Sequence, residues 1–275
     1  MDEKSMQFAN FNITFGENDA PMLKHFSDII FPAFSGDYIR GKRDSVPRYF
    51  FAGVEIKEVD NEYVMVGNFI KETQYKVVTT VQEGVLASTP ADVPTAPYSR
   101  FIVFLKNHRM VLVRNETASP DTRSFQSTVR DILNQYVRNA NRERSERDKL
   151  PIAIANIVDI PLKDSIADVL KNVNKVSWFK LRFFPLNNDL DPGPLTQHIR
   201  EDMKKVGSKT TNIVFNSPNS KDGISKMIAE SSGLAVASLQ IVDNTGEKRR
   251  VKEGSFSSTI KIEYCLLYTS DAADD

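Results

Sequence analysis

The sequence predicts an α+β protein in two parts: an antiparallel sheet with two helices, then a sheet of βαβ type. Three observations carry this prediction. Apolar and polar residues alternate over most of the stretch up to Arg114, helical spacing appears there only before Phe34, and beyond Pro151 strand-like and helix-like segments take turns. The 275 residues are 40% hydrophobic and 26% charged, with 36 basic against 36 acidic side chains, which suits one large or two modest cores. No apolar run reaches the ~20 residues of a membrane helix, and no basic-then-apolar leader opens the chain. A soluble, cytoplasmic protein without a membrane partner is therefore expected, and collagen-like and disulfide-stapled classes are excluded.

The elements follow in order. Phe8, Phe11, Ile13 and Phe15 lie near period two and predict a first strand. Met22, Leu23, Phe26, Ile29, Ile30 and Phe34 recur at helical spacing, which predicts a helix over 19–34 with Asp19 as its N-cap. Three β-rich runs fill Tyr49 to Thr80, with Asp60-Asn61 as a hairpin turn between the first two. Pro90, Pro94 and Pro97 mark 86–98 as a loop that interrupts the sheet. Strands at 101–105 and 110–114 flank the turn Lys106 to Arg109. A helix after Ser119-Pro120 then carries the stripe Phe125, Val129, Ile132, Leu133, Tyr136 and Val137.

The polar run after Val137 places a domain boundary near Leu150-Pro151, giving domains 1–150 and 151–264. The second is expected to hold strands at 152–158, 176–184, 211–216, 234–242 and 258–263, with helices at 162–172, 194–206 and 221–232. Two βαβ units in succession resemble the split βαβ of ferredoxin-like folds, an extra helix replacing the central hairpin, with helices mainly on one face.

The segment from Cys265 to Asp275, CLLYTSDAADD, resembles the in-frame translation of a transposase-type sequencing adapter. Tyr264 fits the frame, because its codon can end in the C that the adapter requires. Residues 265–275 are accordingly expected to be foreign, and the gene to come from a truncated draft assembly of microbial, bacterial or phage, origin. Without Asp271, Asp274 and Asp275 the remainder is net positive, and the single cysteine leaves with them. That removes a thiol nucleophile or Cys-ligated metal from the expected native part.

Gly36-Asp-Tyr-Ile-Arg-Gly41-Lys42-Arg43 approximates a phosphate-binding loop. Arg43, however, occupies the position of the Mg²⁺-binding hydroxyl, and the segment follows a helix instead of a strand. Glu55-Ile56-Lys57 on a strand, with Asp44 upstream, resembles half of a restriction-type nuclease core, where carboxylates hold Mg²⁺ and a lysine activates water. A solvated strand face gives the same pattern. Asp189, Asp191, Glu201 and Asp202 with His198 have hard-cation chemistry, although a turn and a helix N-terminus account for them equally. The three histidines are scattered, so no metal site or cofactor is expected, Mg²⁺ entering only with the nuclease alternative.

Three basic clusters remain: Arg40, Lys42, Arg43 and Arg48; Arg138, Arg142, Arg144, Arg147 and Lys149; Lys248, Arg249, Arg250 and Lys252. Converging on one face they would neutralise phosphates, with Trp178, Phe179, Phe183 or Phe184 stacking bases. The acids interleaved in the second cluster equally suit a solvated helix, and strand aromatics equally suit a core. The sequence thus favours a non-catalytic module that binds RNA or DNA. The alternatives are a metal-dependent nuclease and a protein–protein adaptor or assembly subunit.

Overall fold

The computed structural model describes residues 2–42, 46–82, 84–187, 193–252, 255–256 and 259–264. Strand β1 (Asp2–Phe15) leads through the short β2 (Ala20–Pro21), a 3₁₀ turn (Met22–His25) and a π turn (Phe26–Ile30) to α1 (Phe31–Ser35). Then come β3 (Ile39–Arg40), β4 (Arg48–Val59), β5 (Glu62–Gln82), β6 (Val85–Thr95), β7 (Tyr98–Phe104), β8 (Arg109–Arg114) and α2 (Thr122–Ala140). The remainder runs β9 (Ala153–Asp159), α3 (Lys163–Lys171), β10 (Val173–Phe183), α4 (Gly193–Lys205), β11 (Thr211–Asn216), α5 (Lys221–Ser231), β12 (Ala235–Asp243), β13 (Lys248–Lys252) and β14 (Thr259–Tyr264). The chain is mixed α and β, and strands predominate.

The larger sheet is a curled antiparallel one in the order β14-β1-β8-β7-β5-β4-β3. Its hub is β1, where Ala9 pairs with Met110 of β8 on one edge and Asp159 of β9 on the other. One face of β1 carries Ala9, Phe11, Ile13 and Phe15, all buried in a core with α1 and α2. The helix stripe foreseen on α2 enters that core, and Phe125 sits at its centre with its ring 5.2–5.4 Å from those of Phe51, Phe69 and Phe101. Burying one such ring stabilises by about 3 kcal/mol relative to leaving it in water, which ties the start of α2 to the sheet.

The smaller sheet has the order β11-β10-β12-β13 with every neighbour antiparallel. Phe179, Leu181 and Phe183 of β10, with Leu239 and Ile241 of β12, pack against Ile166 and Leu170 of α3, Met203 of α4 and Ile224 and Ile228 of α5. All three helices therefore cover one face, as expected.

Three expectations are corrected. The strand at 153–159 pairs with β1 in the first sheet instead of opening the second, and β14 lies on the same strand's edge. No helix begins at Asp19. It has φ +50°, the chain passes through β2, and helical backbone arrives as 3₁₀, π and finally α turns. Pro32 lacks the N–H that a continuous ladder over this stretch needs, and the Met22 N–H is held by Asn187 Oδ1 at 2.9 Å. The proline-rich stretch is a strand, because β6 pairs with β5 alone, and an edge strand tolerates missing donors. The basic stretch Lys248–Lys252, for which no element is expected, is a strand, β13, joined to β12 by the turn at Asp243.

Asp60 and Asn61 both have positive φ (50° and 62°), the conformation of the two-residue hairpin predicted there. No helix is long and apolar enough to cross a membrane among the described residues. Residues 265–275 lie outside the described residues.

Candidate nucleic-acid interface

Strand β10 sorts its side chains by period two. Phe179, Leu181 and Phe183 turn to the helices, which leaves Trp178, Lys180 and Arg182 on the other face. Register extends that face across the sheet. Trp178 stands opposite Gln240, which stands opposite Arg250, and Lys180 stands opposite Ser238, which stands opposite Lys252. The Arg250 guanidinium lies 5.4 Å and the Lys180 ammonium 5.9 Å from the Trp178 ring centroid, both within cation–π range. Trp178 is half-buried, and Arg182, Arg250 and Lys252 are exposed.

This face looks across a cleft toward the first sheet. Between them is a cavity of about 630 Å³. Its far wall is the start of α2 with Thr122 and Arg123, flanked by Gln7 of β1 and Ile157 of β9. Its near wall carries Lys180, Arg182, Arg250 and Lys252. Five cations thus face two acids, Asp121 and Asp159. Asp121 is engaged as the N-cap of α2, accepting the Ser124 N–H at 2.8 Å. Among the described residues none of the five cations forms an ion pair.

The cleft has a fixed width because buried amides join its two sides. The second face of β1 carries Asn10 and Asn12, both buried. Asn12 donates to the Pro185 carbonyl at 2.8 Å and accepts the Asn187 N–H at 2.7 Å. Asn10 donates to the Ser232 carbonyl at 2.7 Å and accepts from Arg109, whose guanidinium pKa is lowered by burial. Val158, Phe184, Leu186 and Leu234 close an apolar patch beside them. Buried polar groups tolerate few alternative partners, so these contacts fix how the two sheets meet.

Of the basic clusters read from the sequence, only the last reaches this cleft among the described residues, through Arg250 and Lys252, with Lys248 and Arg249 exposed on the same strand. Arg40 donates to Thr128 Oγ1 at 2.8 Å and lies 4.0 Å over the Tyr49 ring. Arg48 makes a two-point pair with Glu72, at 2.9 and 2.7 Å. Lys42 is exposed, and Arg43 lies outside the described residues. Arg138 is exposed about 24 Å along α2 from Thr122, and Arg142 follows it. Of the four aromatics weighed as stacking platforms, Phe179, Phe183 and Phe184 are buried and Trp178 alone is on the open face.

Glu55 and Lys57 of β4 are exposed and paired to each other at 3.1 Å, while Asp44 lies outside the described residues. Asp202 is paired with Lys205 at 2.9 Å. That hydrogen bond, followed by the charge of Lys205, lowers its carboxyl pKa. Asp189 and Asp191 are outside the described residues, among which no three His, Cys, Asp or Glu side chains gather as a metal site would require.

Lys180, Arg182, Thr122 and Arg123 escaped the sequence reading. The signal was present in Trp178-Phe-Lys-Leu-Arg-Phe183, where apolar and cationic residues alternate on one strand. That pattern gives a basic face as directly as it gives a core. Thr122 and Arg123 carry no such local signal, since a docking between two sheets brings them there. Compared with known family models, curated proteins and solved structures, the chain matches none.

Proposed function

We propose that this protein is a non-catalytic module that binds nucleic acid, with single strands on the open face of the smaller sheet. The observation that carries the reading is Trp178 with the Lys180 ammonium and the Arg250 guanidinium 5.9 and 5.4 Å from its ring centroid, Arg182 and Lys252 on the same face, and no carboxylate partner for any of the four among the described residues. An aromatic ring among cations offers what a single strand needs, a stacking surface for bases and charge for phosphates. Arginine adds planar donors for phosphate oxygens.

The topology lends the ferredoxin-like reading partial support. β11 and β12 flank β10 and are parallel to each other, and α5 connects them, which is a split βαβ arrangement. The fourth strand, β13, arrives by a hairpin. A nucleic-acid partner also accords with the cytoplasmic location and microbial or phage origin expected from the sequence.

The test is fluorescence anisotropy of single- and double-stranded DNA and RNA against the wild-type chain, Trp178→Ala and the pair Lys180→Glu/Arg250→Glu. Single strands are expected to bind tightest. Trp178→Ala is expected to cost about 1–3 kcal/mol for each base it stacks, and the charge reversal to abolish binding at moderate salt. Equal affinity of wild type and both variants would overturn the reading.

A further inference from the structure

We infer that the cleft at the start of α2 is a binding site for a phosphomonoester, supplied by the terminal phosphate of a strand lying on the Trp178 face or by a free nucleotide. The inference rests on the open face being the nucleic-acid surface and adds what the adjoining cavity does.

Size comes first. About 630 Å³ falls in the range of pockets that hold nucleotide-sized molecules. Charge comes next. Arg123 from α2, Lys180 and Arg182 from β10, and Arg250 and Lys252 from β13 enter from three elements, against Asp159 and the already engaged Asp121. Cations without an ion-pair partner among the described residues, brought together by tertiary packing, repel one another, so the arrangement favours a ligand carrying more than one negative charge. A terminal phosphate carries up to two at neutral pH, whereas each internal diester carries one.

The helix adds a third contribution. α2 has 19 residues, and the positive end of its dipole lies at the wall, where Asp121 already caps the Ser124 N–H. Thr122, at its first position, is 3% exposed, and its hydroxyl has no hydrogen-bond partner among the described residues. Its N–H has only a long contact of 3.4 Å to Gln7 Oε1. A buried hydroxyl without a partner is costly, and a phosphate oxygen accepting from it removes that cost.

Position supplies the link to the strand. Lys180 and Arg250 contact the Trp178 ring and also line the cavity. A chain stacked on Trp178 is therefore within one residue's reach of the cleft, where its end enters and its interior phosphates stay on the open face.

The experiment compares a short single-stranded oligonucleotide with a 5′-phosphate, a 3′-phosphate or hydroxyls at both ends, each labelled at its mid-point. A mononucleotide and inorganic phosphate serve as competitors. One of the two phosphorylated strands is expected to bind about tenfold more tightly than the hydroxyl strand, the size of one charge-assisted hydrogen-bond set. The ratio is expected to fall toward one in Arg123→Glu and in Thr122→Val, and in wild type as pH drops through ~6, where the phosphate takes up its second proton. Arg123 is exposed, so its replacement leaves the core intact, and the ratio cancels any loss common to all strands.

Displacement of the phosphorylated strand's advantage by the mononucleotide would also support the site. Equal binding of all three strands with no competition by the mononucleotide would overturn the inference while leaving the Trp178 face as the binding surface. Mononucleotide binding that is lost in Arg123→Glu, with no strand bound, would keep the cleft and remove the strand.

Discussion

Asn12 shows how much of the architecture hangs on single side chains. It is fully buried, with one hydrogen bond given to Pro185 and one taken from Asn187, and both partners belong to the segment that follows β10. Asn12→Ala leaves a buried carbonyl and a buried N–H without partners, so a loss on the order of 3 kcal/mol is expected in denaturant unfolding. A loss below ~0.5 kcal/mol would mean that the two sheets are not held together there. Gly233 meets the same junction from the other side. Its φ is +72°, and a Cβ would come within 2.8 Å of Asn10 Nδ2 and 2.9 Å of the Asp159 carbonyl. Neither role is legible in the sequence, because polar residues at Asn10, Asn12 and Thr14 on a strand carry no sign of what they meet. Their face is buried, against groups more than 170 positions away in the chain. By contrast Phe11, Ile13 and Phe15 were legible, since an apolar period of two needs no knowledge of its partner.

At the scale of elements, the site depends on β13 and on the first turn of α2. β13 is placed by the turn at Asp243, whose carboxylate accepts from Thr245 Oγ1 at 2.6 Å, Thr245 N at 2.9 Å and Glu247 N at 3.0 Å. The Thr245 hydroxyl bond chiefly, and then the backbone donors, hold the Asp243 pKa below the usual carboxylate value. The stability it contributes is thus present above the unfolded pKa of ~3.9 and is lost as pH falls through the lower folded value. Wild type is expected to melt above Asp243→Ala at neutral pH, with the gap in Tm closing as pH drops below about 4. A gap that widens on acidification would contradict the assignment. For α2, Phe125→Ala removes the ring at the centre of the aromatic cluster and is expected to cost about 3–5 kcal/mol. A pH 7 unfolding curve within 1 kcal/mol of wild type would contradict the packing described. Most elements were legible, including β11 at the residues expected and α2 with its stripe. Those missed had local causes: prolines placed on an edge strand, a helix broken into three kinds of turn, and a strand of Lys248-Arg-Arg-Val-Lys252 with a single buried side chain, Val251.

The whole molecule is two sheets meeting across a cleft, and its functional reading lies in that meeting. The larger sheet supplies α2, and the smaller supplies Trp178 and four of the five cations. A chain with equal numbers of basic and acidic residues carries this charge by segregation, acids such as Glu72 and Asp202 being paired away from the cleft. Composition averages over that arrangement, which is why net charge hid it. The sequence clusters pointed to three regions, and docking selected one of them together with Arg123, Lys180 and Arg182, which belong to none. The central claim is that the cleft and open face bind a single strand through these cations. It is tested most directly by the salt dependence of single-strand affinity. With at most five phosphate charges neutralised, a plot of log affinity against log salt is expected to fall with a slope no steeper than about −3.5. An affinity that does not change with salt, or no binding at low salt, would contradict the account.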